Sequence, residues 1–217
     1  MRAKLAFEPK AGWQVGLTLM HADLDNGFDA FAPDNSFDTL SDRPGQDVQR
    51  SSGASLRVDG DLDRTTLRST TACADSDIVY SFDGDWGNDP YWGEYAPYDY
   101  FSRYQRERRT LSQDLRLISD STARDQGFGW LVGVYALRLD EQNLQRDEFA
   151  GELLRPLLDT DYSATNLAAY GETEWGPGGS LVVSAGLRVE TRSADYQDSD
   201  GASFSPRDTM AGVRRIC

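Results

Sequence analysis

Residues 111–142 read LSQDLRLISDSTARDQGFGWLVGVYALRLDEQ, and their alternation decides the fold. Leu111, Leu115 and Leu117, with Gln113, fall on one side of an extended chain, and Ser112, Asp114 and Arg116 on the other. A period of two marks a β-strand with one apolar and one polar face. After STARDQG (121–127) comes a second run, 128–139, that is apolar on both sides. Arg138 and Asp140 are the only orienting residues there, and they put Leu131, Tyr135, Leu137 and Leu139 on the apolar side. Two such runs across a short Gly-containing connection predict a hairpin.

The same period recurs outward in both directions. Trp13, Val15, Leu17 and Leu19 oppose Gln14, Gly16 and Thr18; Leu181, Val183, Ala185, Leu187 and Val189 oppose Ser184, Arg188 and Glu190. Weaker versions occupy 3–7, 54–58 and 65–71, and segment 163–175 carries Leu167, Ala169 and Trp175 against Asn166, Tyr170, Glu172 and Glu174. The connections then alternate short and long. EPKAG (8–12), VDGD (58–61), STARDQG and GPGG (176–179) are short, whereas 23–46, 79–103, 142–160 and 196–206 are long and rich in Asp, Gly, Pro and aromatics. Long loops at every second connection predict that all of them lie at one end of a single antiparallel sheet. Most runs span about ten to fifteen residues, against about five or six in globular strands, and a tilted strand crosses a bilayer core in about nine to eleven. The fold class expected is therefore all-β: a segment of an antiparallel transmembrane β-barrel with about eight or nine long strands.

Composition supports that class. Hydrophobic residues are 39% of the chain, low for a packed globule but ordinary where only alternate residues meet lipid. Arg57, Arg68, Asp114, Arg116, Glu172, Glu174, Arg188 and Glu190 share the polar faces, where a wet lumen accommodates them and lipid would not. A net charge of −14 works against nucleic-acid binding, which needs cations to replace phosphate counterions. No run is apolar for long enough to form a membrane helix. The first residues, MRAKLAFEPKAG, lack the apolar core of a signal peptide, which taken alone would place the chain in the cytoplasm.

The hairpin at 111–142 resembles barrel hairpins of the TonB-dependent receptor family. The likeness is carried by Gln113-Asp114-Leu115-Arg116-Leu117 and by Trp130-Leu131-Val132-Gly133-Val134-Tyr135. The next hairpin, TNLAAYGETEWGPGGSLVVSAGLRVE (165–190), resembles the family in Ala168, Tyr170, Gly171, Glu172 and Trp175. It does so again in Leu181, Val183, Ser184, Gly186, Leu187, Arg188, Val189 and Glu190. The resemblance implies a bacterial outer-membrane protein, a 22-stranded barrel filled by a plug domain, and uptake of a scarce nutrient. Iron-siderophore, haem, cobalamin and carbohydrate are the ligands it admits, with energy from the TonB complex acting through the plug. No plug, TonB box or closing aromatic strand is read in 1–217, and GVRRIC breaks off where alternation should continue. The expectation is one partial barrel domain over 1–217, with 213–217 as an out-of-frame tail, forming an open curved sheet. Residues 2–8 and 180–195 would lie at or near its opposite free edges.

Function-bearing patterns are few. Tyr80, Phe82, Tyr100 and Phe101 flank Trp86, Tyr91, Trp92, Tyr95 and Tyr98, and the latter five are the candidate ligand contacts. Rigid aromatic rings give large contact area at low entropy cost. The bland alternative is a membrane-interface girdle together with packing of the loop on itself. Acid pairs at Asp23–Asp25, Asp83–Asp85 and Asp198–Asp200 hint at calcium, but Asp23–Gly27 has its glycine one place early for an EF-hand and lacks the late Glu, so solvated loop acids are the expectation. Cys73 and Cys217 read as unpaired thiols, and His21 stands without a triad or metal partner. No cofactor, metal site or catalytic residue is expected, and the chain is not read as an enzyme. Partners are the nutrient, outer-membrane lipid and, through a plug, TonB. Two alternatives from other classes are a self-contained eight-stranded structural or adhesive barrel and a soluble acidic β-protein binding calcium or sugar.

Overall fold

The computed structural model describes residues 1–27, 31–120, 127–176 and 182–216, with the backbone alone for 214–216. The strands are β1 (Arg2–Lys10), β2 (Trp13–Asp25), β3 (Gln46–Asp61), β4 (Thr65–Asp83), β5 (Tyr100–Ser119) and β6 (Phe128–Phe149). There follow β7 (Glu152–Leu153), β8 (Leu158–Trp175), β9 (Val183–Asp198), β10 (Ser203–Phe204) and β11 (Arg207–Ile216). All belong to one antiparallel sheet in which each long strand pairs with the next, and β9 pairs with both β10 and β11. The helices are a four-residue turn, α1 (Asp89–Trp92), and a 3-10 turn (Gly93–Tyr95). No helix among the described residues is long and apolar enough to cross a membrane.

β1 and β11 have no pairing with one another, so the sheet is not closed. One free edge is β1, as expected. At the other, residues 183–198 lie one strand inside the edge. The final segment, β11, pairs with β9 from Arg207↔Ser193 to Ile216↔Ser184, through positions 213–216. Backbone hydrogen bonding extends a ladder wherever the chain stays extended, whatever its side chains.

Register fixes the two faces. Leu5 stands opposite Leu17, Leu17 opposite Leu56, Leu115 opposite Val134, and Val189 opposite Ala169. This apolar face remains open: Leu17's neighbour Leu5, with Leu111, Leu167 and Leu187, is more than half exposed. On the other face Arg68 stands opposite Arg116, Thr70 opposite Asp114, and Tyr170 opposite Arg188. Ion pairs along and across the strands knit this wall: Asp59 takes Arg57 of its own strand and Arg68 of β4, and Asp114 takes Arg116 two residues on. Tyr170 Oη on β8 donates to Asp114 on β5 (2.8 Å), reaching across β6. A bond that skips a strand identifies the polar face as the concave one.

Segment 128–139 is oriented the opposite way to the expectation. Leu131 pairs with Glu172, Tyr135 with Asp114 and Ala168, and Leu137 with Ser112, which puts Leu131, Tyr135, Leu137 and Leu139 on the polar wall. The apolar face takes Trp130, Val132 and Val134 instead. Arg138 and Asp140 misled because they lie beyond the apolar band, where the convex face is wet as well. Leu181, the STARDQG turn up to residue 126 and 177–181 of the GPGG turn lie outside the described residues.

Gly133 shows how closely the wall is packed. A Cβ there would come within 2.5–2.9 Å of the Tyr170 ring, and the Arg116 and Arg188 guanidinium groups lie 5.7 and 5.5 Å from that ring's centre. Gly133→Val should displace Tyr170 from Asp114 and cost about 1–3 kcal/mol, typical of overpacking. The measurement is the denaturation midpoint of the folded barrel in detergent; Gly16→Val, where a Cβ meets nothing within 4 Å, should leave it unchanged.

Candidate functional site

All four long connections meet at one end of the sheet. Arg43 from 26–45 bonds Asp99 of 84–99 (3.2 Å) and Glu148 beside 150–157 (2.6 Å), and Ser199 Oγ donates to Leu157 O. The short turns gather at the other end, where Asp61 N donates to Gly12 O and Gly176 N to Gly127 O. Trp13, Phe128, Trp130 and Trp175 flank those turns on the apolar face. Aromatic side chains thus band the apolar face at the short-turn end.

The loops are shorter than the sequence indicated, because the strands run on past the apolar band. β4 reaches Asp83 and β5 begins at Tyr100, so Tyr80, Phe82, Tyr100 and Phe101 belong to strands. Loop 84–99 is organised by two residues. Asn88 caps α1, accepting from Tyr91 N, while its Nδ2 donates to Leu40 O in the neighbouring loop. Asp85, 5% exposed, accepts from Gly87 N, Trp92 Nε1 and Tyr100 N at 2.8–3.0 Å. Burial disfavours its charge, but these donors outweigh burial and hold its carboxyl below the usual range. Burial, with the carboxylates of Asp85 and Asp99, pushes Asp42 up.

The structure brings three of the five candidate ligand contacts together. Tyr91, Trp92 and Tyr98 form a chain of edge-to-face rings, 5.0 and 4.8 Å between centres, ending on Phe149. Trp86 stacks instead on Phe31 of the adjacent loop. Tyr95 stands out at 73% exposed, while Trp86, Tyr91 and Tyr98 each keep about two-fifths of their surface open. Trp92, hydrogen-bonded and flanked on both sides, is the packing anchor of the set. Asp83 and Asp85 are buried, contrary to the expectation of solvated acids. Among the described residues no group of three or more His, Cys, Asp or Glu is placed to hold a metal. His21 sits on the convex side against Ser52 Oγ, and Cys73 is an exposed free thiol.

Sequence reasoning missed the concave wall just below the loops. Tyr80 stands opposite Tyr104, Ile78 opposite Arg106, and Ser76 opposite Arg108. Arg106 and Arg108 both form ion pairs with Glu141 (3.4 and 2.5 Å), and Arg192 donates to Tyr162 Oη (2.6 Å). Carrying the alternation of Asp114 and Arg116 back along β5 by whole pairs of residues would have found this wall.

Comparison with known proteins matches this geometry. A family model described as TonB dependent receptor-like, beta-barrel, matches residues 8–209. No curated protein matches by sequence. Among solved structures, the ferric yersiniabactin uptake receptor from Yersinia pestis aligns over 99% of this chain and 40% of its own, with a TM-score of 0.62 and 13% identity. An unliganded ferric citrate transporter aligns over 97% and 32% (TM-score 0.73, 14% identity), and a copper transporter over 98% and 33% (TM-score 0.63, 16% identity). The chain thus spans about a third to two-fifths of the length of these structures, and at such identities the likeness is one of fold.

Proposed function

The chain belongs to the TonB-dependent receptor β-barrel family, and from that premise we propose that it forms wall and extracellular loops of a receptor that imports a scarce nutrient. Iron-siderophore, haem, cobalamin and carbohydrate are the ligand classes such a receptor would import. On this reading the protein sits in the outer membrane, lipid meets the apolar face, and TonB drives uptake through a plug inside the concave wall. Ligand first meets Trp86, Tyr91, Trp92, Tyr95 and Tyr98. The observation that carries the reading is the exposed aromatic platform, tied down by Asp85, Asn88 and Arg43, directly above a polar concave wall. A platform of this kind meets a ligand without first having to be ordered. An open sheet of nine long strands also favours a wide receptor barrel over the self-contained eight-stranded one.

The test uses outer membranes from cells producing the protein in its full genomic context. Labelled ferric citrate, haemin, cyanocobalamin and maltodextrin are offered in turn. For the probe that binds, Trp86→Ala with Tyr95→Ala should weaken binding about tenfold or more, as loss of anchor aromatics does. Undiminished binding, with the barrel still folded, would remove the loop from the reading.

A further inference from the structure

The loop end of β4 carries two neighbouring acids that cannot both hold a charge where they lie. Asp83, the last residue of the strand, is 0% exposed, and its Oδ2 has no hydrogen-bond partner among the described residues. Its Oδ1 accepts from Asp85 N (3.3 Å), and the Asp85 carboxyl and the Ser41 hydroxyl stand against it. Ser41 Oγ, contributed by 26–45, is likewise buried without a partner. The surrounding charge is of one sign. Asp42 lies toward Asp85, Asp99 and Asp89. Arg43, the only basic residue of 26–45, is already taken by Asp99 and Glu148, and 84–99 contains no basic residue. Asp85 keeps its charge through three N–H donors; Asp83 has no such support. Burial, and then the Asp85 carboxylate, push the Asp83 carboxyl up against the opposing pull of the Ser41 hydroxyl.

We infer that Asp83 and Asp85 share a single proton, and that this proton clasps loop 26–45 against loop 84–99. The inference stands on the contacts between the two loops and does not depend on the receptor reading. A proton on Asp83 turns an unsatisfied acceptor into an O–H donor, with Asp85 and Ser41 beside it to accept. One of those neighbours belongs to each loop, so the proton sits at their junction. Its loss would leave two buried carboxylates in contact, ringed by further acids, with Arg43 already engaged. Folding raises the Asp83 pKa, so the clasp is complete below the ordinary carboxyl range and is lost as pH rises through the folded value. Asp85 also holds Trp92, and Asn88 reaches Leu40 O, so parting the two loops releases the aromatic platform.

The experiment uses the protein made in its full genomic context, in detergent with a metal chelator. Nicking within 84–99 by a broad-range protease is followed from about pH 5 to about pH 10, a span that starts just above the ordinary carboxyl range. Asp83→Asn, which fixes the uncharged form, is run at every pH so that the protease's own pH dependence cancels. Once pH passes the folded pKa, nicking of the parent relative to Asp83→Asn should rise about tenfold per pH unit, the slope of one proton. Asp38→Asn, an exposed acid of 26–45, should follow the parent. The infrared carbonyl band of a protonated carboxylic acid should fade from the parent over the same pH range, and Asp83→Asn should lack that titrating component. A heat-modifiable band on gels shows that each variant is folded, and the infrared titration of the parent reads the proton even if a variant is not. A parent profile that tracks Asp83→Asn at every pH, or no titrating carboxylic acid band, overturns the inference. Replacing the chelator with Ca²⁺ should leave the parent unchanged. Protection by Ca²⁺ that Asp83→Asn abolishes would give the pair to a cation and overturn the shared proton.

Discussion

Leu187→Arg is expected to destabilise the intact barrel by about 2–4 kcal/mol, the cost of a cation near the lipid midplane, whereas Ser184→Arg should cost far less. The two positions lie three residues apart on β9 and point to opposite faces. Leu187 is 53% exposed on the apolar side, within the run Val183, Ala185, Leu187 and Val189, and its neighbours across the sheet are Gly171 and Val213. Neither of these cross-strand neighbours carries a carboxylate that could pair with a guanidinium. Ser184 stands opposite Glu174 on the concave wall, where an arginine would find both a carboxylate and water. Equilibrium unfolding of the full barrel in detergent or bilayer measures both. Equal losses would mean that the faces have been assigned the wrong way round.

Alternation made most of the fold legible. Where the convex face meets lipid, only apolar residues are tolerated, so Leu17, Leu56, Leu115 and Leu187 declare both the strand and its orientation. Beyond the apolar band that constraint disappears. Asp75, Glu107 and Asp140 on the convex side look no different from Arg108 and Glu141 on the concave side, so the strand ends there read as loop. The ladder persists because backbone bonds and cross-strand pairs such as Arg109–Asp75 and Arg108–Glu141 do not require a hydrophobic pattern. Segment 128–139 failed for a related reason. Its concave residues Leu131, Leu137 and Leu139 are as apolar as its convex ones, and only pairing with Glu172 and Asn166 reveals the side.

The loop site was half legible. A cluster of nine aromatics in 22 residues announces a surface built from rings, but composition cannot say which ring anchors and which is presented. Trp92 and Trp86 look equivalent in sequence. In the structure Asp85 pins Trp92 through its indole N–H, while Trp86 crosses to Phe31. The acid that organises the loop was itself read as solvated, since an Asp in a Gly-rich loop usually is. Only the convergence of three N–H donors from 85–100 shows otherwise.

That convergence sets up a contrast between two neighbouring acids. Asp85→Ala should strand three N–H donors near the base of the loop and cost about 2–4 kcal/mol of local stability, at about 1–3 kcal/mol for each buried group left unmatched and less where water enters. Asp83→Asn should cost less than about 1 kcal/mol or stabilise, because it discharges a fully buried carboxyl whose Oδ2 has no partner among the described residues. Native-state proteolysis within 84–99 reads both: Asp85→Ala should be nicked far faster than the parent, and Asp83→Asn no faster. The sign of the pH dependence follows from Asp85. Its pKa is depressed by folding, so its contribution is complete above the unfolded value and fades as pH falls through the folded one. Asp42, pushed up, works in the opposite sense, since its burial penalty is relieved on protonation. Acid should therefore loosen the loop more steeply in Asp42→Asn than in the parent, and should hardly affect Asp85→Ala, which has already lost the tether. Identical acid profiles in all three proteins would show that Asp85 does not hold the aromatic platform in place.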